Sequence, residues 1–166
     1  MHIRIATLTV IAASILAGCA TRTADTPAPV EKPVEKTSRS KVELPTGPMS
    51  SAKSLDDYKR ELALRISQVN SNKVYSGRPQ ALLRSVVVLR YAIDERGNLV
   101  RSEIMRSNRD SETESTALAS LRSAAPFPRP AAHLVRNGQL DISETWLFNN
   151  DGRFQLRTIA QPQMDR

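Results

Sequence analysis

The chain has 166 residues, 24 basic and 17 acidic side chains, a formal net charge of +7, and 40% hydrophobic residues. That length suits one domain, and a single cysteine excludes an internal disulfide and a cysteine-rich zinc site. Three Phe, three Tyr and one Trp argue against an aromatic-lined ligand cavity, and two histidines leave little for metal or acid–base chemistry.

The chain opens on MHIRIATLTVIAASILAG, in which Arg4 precedes an apolar run from Ile5 to Leu16. The run has the length of a signal-peptide core and is shorter than the ~20 residues a membrane-spanning helix needs. It ends in Leu16-Ala17-Gly18-Cys19, which resembles a bacterial lipobox. The resemblance implies a signal peptide over 1–18, cleavage before Cys19, and acylation of the Cys19 thiol. Several acyl chains then hold the protein on a membrane. Ala20 follows the cysteine, where aspartate would favour inner-membrane retention in enteric bacteria. The lipoprotein rule therefore points to the outer membrane, facing the periplasm.

Residues 19–53 read as a tether. Pro27, Pro29, Pro33, Pro45 and Pro48 fall there, no aromatic residue does, and Pro29-Val30-Glu31-Lys32 repeats as Pro33-Val34-Glu35-Lys36. Such a segment cannot bury enough apolar surface to fold, and proline biases it toward extended polyproline II. Its reach is on the order of 110 Å fully stretched and ~30 Å as a coil.

A folded domain is expected over 54–166. Ser54-Leu55-Asp56-Asp57 has capping-box form, and Leu55, Tyr58, Leu62, Ile66 and Val69 then recur at helical spacing until Asn70. Val86 to Ile93 is β-branched and reads as a strand. Asp94-Glu95-Arg96-Gly97-Asn98 is a turn, and Leu99 to Arg106 returns, with Val100 and Ile104 on one face and Arg101, Glu103 and Met105 on the other. Ser111-Glu112-Thr113-Glu114 is a second capping box, opening a helix to about residue 124 with Ala117, Leu118, Leu121 and Ala125 as its stripe; Pro126 and Pro128 end it. Residues 140–148 alternate as a strand, with Leu140, Ile142, Trp146 and Phe148 on one face and Glu144 interrupting them. Asn149-Asn150-Asp151-Gly152 is a tight turn, and Phe154 to Ile159 a fourth, edge strand. The order gives an α+β domain: a small antiparallel sheet of three to four strands covered on one face by two helices.

Val86-x-Val88-x-x-Tyr91-x-Ile93-Asp94-x-x-Gly97-Asn98-Leu99-Val100, then Ser107, Ala117-Leu118 and Ala124-Ala125-Pro126-Phe127-Pro128, resemble the TonB C-terminal family, related in fold to the TolA C-terminal domain. The resemblance covers roughly residues 75–150. It implies a TonB-like fold and a binding style in which an extended segment of another envelope protein adds a strand to the sheet edge. It does not imply energy transduction, because the short leader replaces the membrane helix that engages a proton-driven motor. The serine-glycine pair that often follows the family's second strand is here Ser107-Asn108-Arg109.

The edge candidates are Leu140, Ile142, Glu144, Trp146 and Phe148. If 154–159 pairs with that strand, the edge moves outward to this segment, flanked by Arg153 and Arg157, which could select an acidic partner. The partners implied are the membrane, through the lipid on Cys19, and an envelope protein or peptide in a transport or envelope assembly. Exposed edges can also pair two copies as a homodimer. From residue 54 onward 17 basic residues stand against 13 acidic ones. On an exported lipoprotein that balance excludes nucleic acid and leaves a second reading, a structural envelope protein that binds peptidoglycan or lipopolysaccharide through arginines such as Arg101, Arg106 and Arg109. No cofactor, metal or catalytic residue is expected. His133, the one histidine after the leader, sits in a loop without a nucleophile motif.

Overall fold

A computed structural model describes residues 46–164. Six regular elements follow one another: α1 (Leu55–Val69), β1 (Ser85–Asp94), β2 (Leu99–Arg106), α2 (Ser111–Ser123), β3 (Gln139–Phe148) and β4 (Phe154–Leu156). The strands form one antiparallel sheet in the order β2-β1-β3-β4. The α+β fold class read from the sequence is the one observed. Cys19, the leader and the Pro-Val-Glu-Lys repeats lie outside the described residues.

The alternation of β1 and β3 decides what the helices cover. Val87, Leu89, Tyr91 and Ile93 of β1, with Leu140, Ile142, Trp146 and Phe148 of β3, form one core with Tyr58, Leu62 and Ile66 of α1 and Ala117 and Leu121 of α2. Trp146 is fully buried, and its indole N–H donates to Ser120 Oγ on α2 at 2.9 Å, which removes the cost of an unpaired donor. The other face of the sheet carries no helix among the described residues.

Local chemistry sets the element ends. Ser54 Oγ accepts the Asp57 N–H at 3.1 Å and caps α1. Asn70 closes it and ties it to α2, its side-chain amide donating to the carbonyls of Ile66 and Ser120. The cap of α2 is Asp110 rather than Ser111: its carboxylate accepts the Thr113 N–H at 3.2 Å and receives Arg84 Nε at 2.8 Å. An ionised acceptor held by an arginine from the start of β1 outcompetes a hydroxyl one residue later.

The β1–β2 turn is built on Asp94, whose carboxylate accepts the N–H groups of Arg96 and Asn98. Burial alone would raise the Asp94 carboxyl, but the bonds from Asn98 and Arg96 and the Arg96 charge hold it below the ordinary range. Gly97 adopts φ 88, and a Cβ there would lie 2.0 Å from the Phe127 carbonyl oxygen. That contact exists because the Phe127 N–H donates to the Gly97 carbonyl at 2.7 Å. Phe127 itself is fully buried and stacks on Tyr91 with ring centroids 6.3 Å apart. Pro-Phe-Pro thus plugs the seam between helix and sheet, as its sequence suggested.

Two boundaries and the faces of one strand differ from expectation. The folded unit starts before residue 54: Gly47 donates to the Arg96 carbonyl, Ser50 to that of Arg129, and Arg129 back to that of Pro48, at 2.7 to 3.0 Å. Ser50 and Ser51 also bind Glu61 of α1. β4 ends at Leu156, and residues 157–159 turn away. In β2 the expected faces fail at two β-bulges, where Val100 and Met105 are the extra residues. Leu99, Ser102 and Ile104 therefore oppose the core residues Ile93, Tyr91 and Leu89, while Arg101, Glu103 and Arg106 oppose Ala92, Arg90 and Val88 on the open face.

Candidate functional site

Only part of the edge expected on residues 140–148 is open, because β4 covers its Trp146–Phe148 end. β3 lies inside the sheet order, between β1 and β4. Leu140, Ile142, Trp146 and Phe148 are core side chains and cannot be offered to a partner. Glu144 is buried on the same face; burial pushes its carboxyl up, against bonds from Thr158 and the Thr145 N–H. The alternative pairing through Phe154 is the one realised, but it yields only three strand residues. Their outer side is closed as well. Val74 bridges Phe154, the Tyr75 N–H donates to the Phe154 carbonyl at 3.2 Å, and the Gln155 amide donates to the carbonyls of Tyr75 and Gly77.

Arg153 is held by Asp151 in the turn, Nε to Oδ2 2.7 Å. Arg157 reaches a recess of about 520 Å³ on the open face, lined by Pro79, Leu83, Val86, Thr145 and Leu147, and faces no carboxylate among the described residues. The two arginines do not frame an open edge.

Backbone direction shows where β3 remains open. Arg157 donates to the Thr145 carbonyl, and Arg136 and Gln139 exchange two bonds across the Asn137-Gly138 turn, at 2.9 and 3.2 Å. Odd residues of β3 therefore turn their N–H and C=O groups away from β1. Gln139 is covered by Arg136 and Leu147 by Gln155 of β4. The Thr145 carbonyl is covered by Arg157, and its N–H donates to Glu144 Oε1 at 2.6 Å. Between these covers stand Asp141 and Ser143, both exposed, with no backbone partner on that side among the described residues. A recess of about 400 Å³ adjoins Asp141, lined also by Leu55, His133, Leu134, Arg136, Gln139 and Leu140. An extended peptide laid there would find four backbone groups in register and an apolar recess for a side chain.

The opposite edge, β2, carries no further strand among the described residues. On the open face the charges nearest β2 are largely paired. Arg101 binds Asp141 across Ala92, whose small side chain lets the pair close over it, and Arg90 lies 3.7 Å from Glu103. The expected cluster of Arg101, Arg106 and Arg109 is interrupted by that pairing.

His133 is exposed, its Nε2 3.1 Å from the Lys53 carbonyl. Among the described residues no group of three His, Cys, Asp or Glu converges as metal ligands, and no helix is long and apolar enough to cross a membrane. Asp141 and Ser143 carry no sequence signal of an open edge, because the alternation of β3 marks only its apolar, core-facing half. The Asn137-Gly138 pair, a hairpin-turn signal, marks where their edge begins. No family model matches the chain, and no curated protein or solved structure matches it significantly.

Proposed function

We propose that this protein is a lipid-anchored adaptor of the periplasm. Its domain captures an extended segment of another envelope protein by strand addition to the outer edge of β3, and Cys19 with the Pro-rich tether holds it near the membrane. The observation that carries the reading is the uncovered backbone of Asp141 and Ser143 beside the recess lined by Leu55, Leu134 and Leu140. Strand addition draws its affinity from main-chain hydrogen bonds, and pockets for alternate side chains supply selectivity. The TonB resemblance supports the same docking style, without a motor.

Ser143→Pro tests it. The Ser143 N–H points away from β1, so proline removes the donor offered to a partner and leaves the internal ladder bonds in place. A photo-cross-linking residue at 143 in the full chain should capture an envelope protein in cells. With the cross-linker moved to 141, Ser143→Pro should abolish that capture while the melting temperature stays within a few degrees. Capture that survives Ser143→Pro, or no adduct at either position, contradicts the proposal.

A further inference from the structure

The β2 edge fits a second copy of this chain, and this inference does not rest on the β3 reading. The direction of its backbone follows from the same alternation. Even residues of β3 face β1 and pair with odd residues of β1, an unbroken register of ten pairs. Even residues of β1, Arg90 and Ala92, therefore face β2, where they pair with Glu103 and Arg101. Ser102 between them turns its N–H and C=O outward.

We infer that two copies pair antiparallel along β2 about a twofold axis at Ser102, joining two four-stranded sheets into one of eight strands. In that register the stretch Arg101-Ser102-Glu103 is complementary to itself. Arg101 stands opposite Glu103 of the second copy and Glu103 opposite its Arg101. Leu99, Val100, Ile104 and Met105 flank these charged pairs with apolar side chains on either side. Opposite charges and apolar residues facing each other directly are the favourable cross-strand pairs, and like charges the unfavourable ones. A shift of the axis by one residue places Glu103 against Glu103 or Arg101 against Arg101, so charge selects this register.

Two further features agree. Val100, Ile104 and Met105 are exposed by 55%, 37% and 47%, a run of large apolar side chains on an edge that soluble proteins usually blunt. The charges inside each copy continue the pattern: Asp141 and Arg101 of one copy meet Glu103 and Arg90 of the other, negative and positive in alternation across the joint. The bulges at Val100 and Met105 bracket the regular stretch and keep the pairing short. Because the contact is isologous and uses the β2 edge of each copy, the assembly closes at two copies.

The test uses the full chain in detergent and two variants, Arg101→Glu and Glu103→Arg. Wild type should sediment as a dimer at concentrations up to about 100 µM, a micromolar affinity. Each variant alone should be monomeric, since its like charges face each other, and an equimolar mixture of the two should recover the dimer, because both cross-strand pairs become complementary. Buried Trp146 reports by its fluorescence that each variant is folded. Independently, Ser102→Cys should cross-link to itself in cells, because directly opposed residues of this kind sit ~5.5 Å apart at Cα, within disulfide range. A monomeric wild type, variants that dimerise unchanged, or a mixture that stays monomeric overturns the inference, as does a Ser102→Cys chain that gives no cross-link beyond the wild type.

Discussion

At Gly97 two independent demands meet on one residue. Its φ of 88 lies where side chains are strained, and the Phe127 carbonyl occupies the place of a Cβ. Gly97→Ala should destabilise the domain on the order of 2 kcal/mol, read as a lower urea midpoint with an unchanged slope. Glu144 makes the opposite kind of demand. Its carboxyl titrates above the ordinary 4.5 because burial disfavours the charge, so the folded state holds the proton more tightly than the unfolded one. Stability from this group is complete below the unfolded value and is lost as pH rises through the folded value. Glu144→Gln removes that loss. Its melting temperature relative to wild type should therefore increase from pH 4 to pH 7, and a difference that is flat or falls over that range would remove burial as the cause.

At the scale of elements, the segment before α1 belongs to the fold rather than to the tether. Three backbone bonds link residues 47–50 to Arg96 and Arg129, and Ser50 and Ser51 add bonds to Glu61. A chain starting at residue 54 should lose about 2–3 kcal/mol against one starting at residue 46, at ~1 kcal/mol per bond, with urea unfolding as the readout. This docking was not legible from composition, because Pro45 to Lys53 has the polar, proline-containing character of a linker and is held by main-chain groups that composition does not report. The helices and long strands were legible, since Tyr58-Leu62-Ile66 and Val87-Leu89-Tyr91-Ile93 carry the two periods plainly. β2 was legible as a strand but not in its faces, because a bulge inserts one residue without any compositional mark and inverts the alternation after it. Arg84 explains the misplaced cap of α2 in the same way: a partner 26 residues away made Asp110 the better acceptor.

At the scale of the molecule, the helices cover one face of the sheet, β4 and residues 74–77 close one end of its far edge, and among the described residues two stretches of sheet backbone stay open. One is the short window at Asp141 and Ser143 on β3; the other is β2. They lie on opposite edges of the sheet, so the proposed partner segment and the proposed second copy would not compete for the same backbone. Side-chain alternation along β3 is visible in the sequence, whereas the backbone direction that leaves Asp141 and Ser143 uncovered is set only by which neighbours are present. Residue-resolved amide hydrogen exchange on the full chain measures that direction. The account predicts fast exchange at Asp141 and Ser143 against slow exchange at their neighbours Leu140, Ile142 and Glu144, with both fast sites becoming protected when the captured segment binds. Slow exchange at Asp141 and Ser143 in the absence of any partner would contradict it.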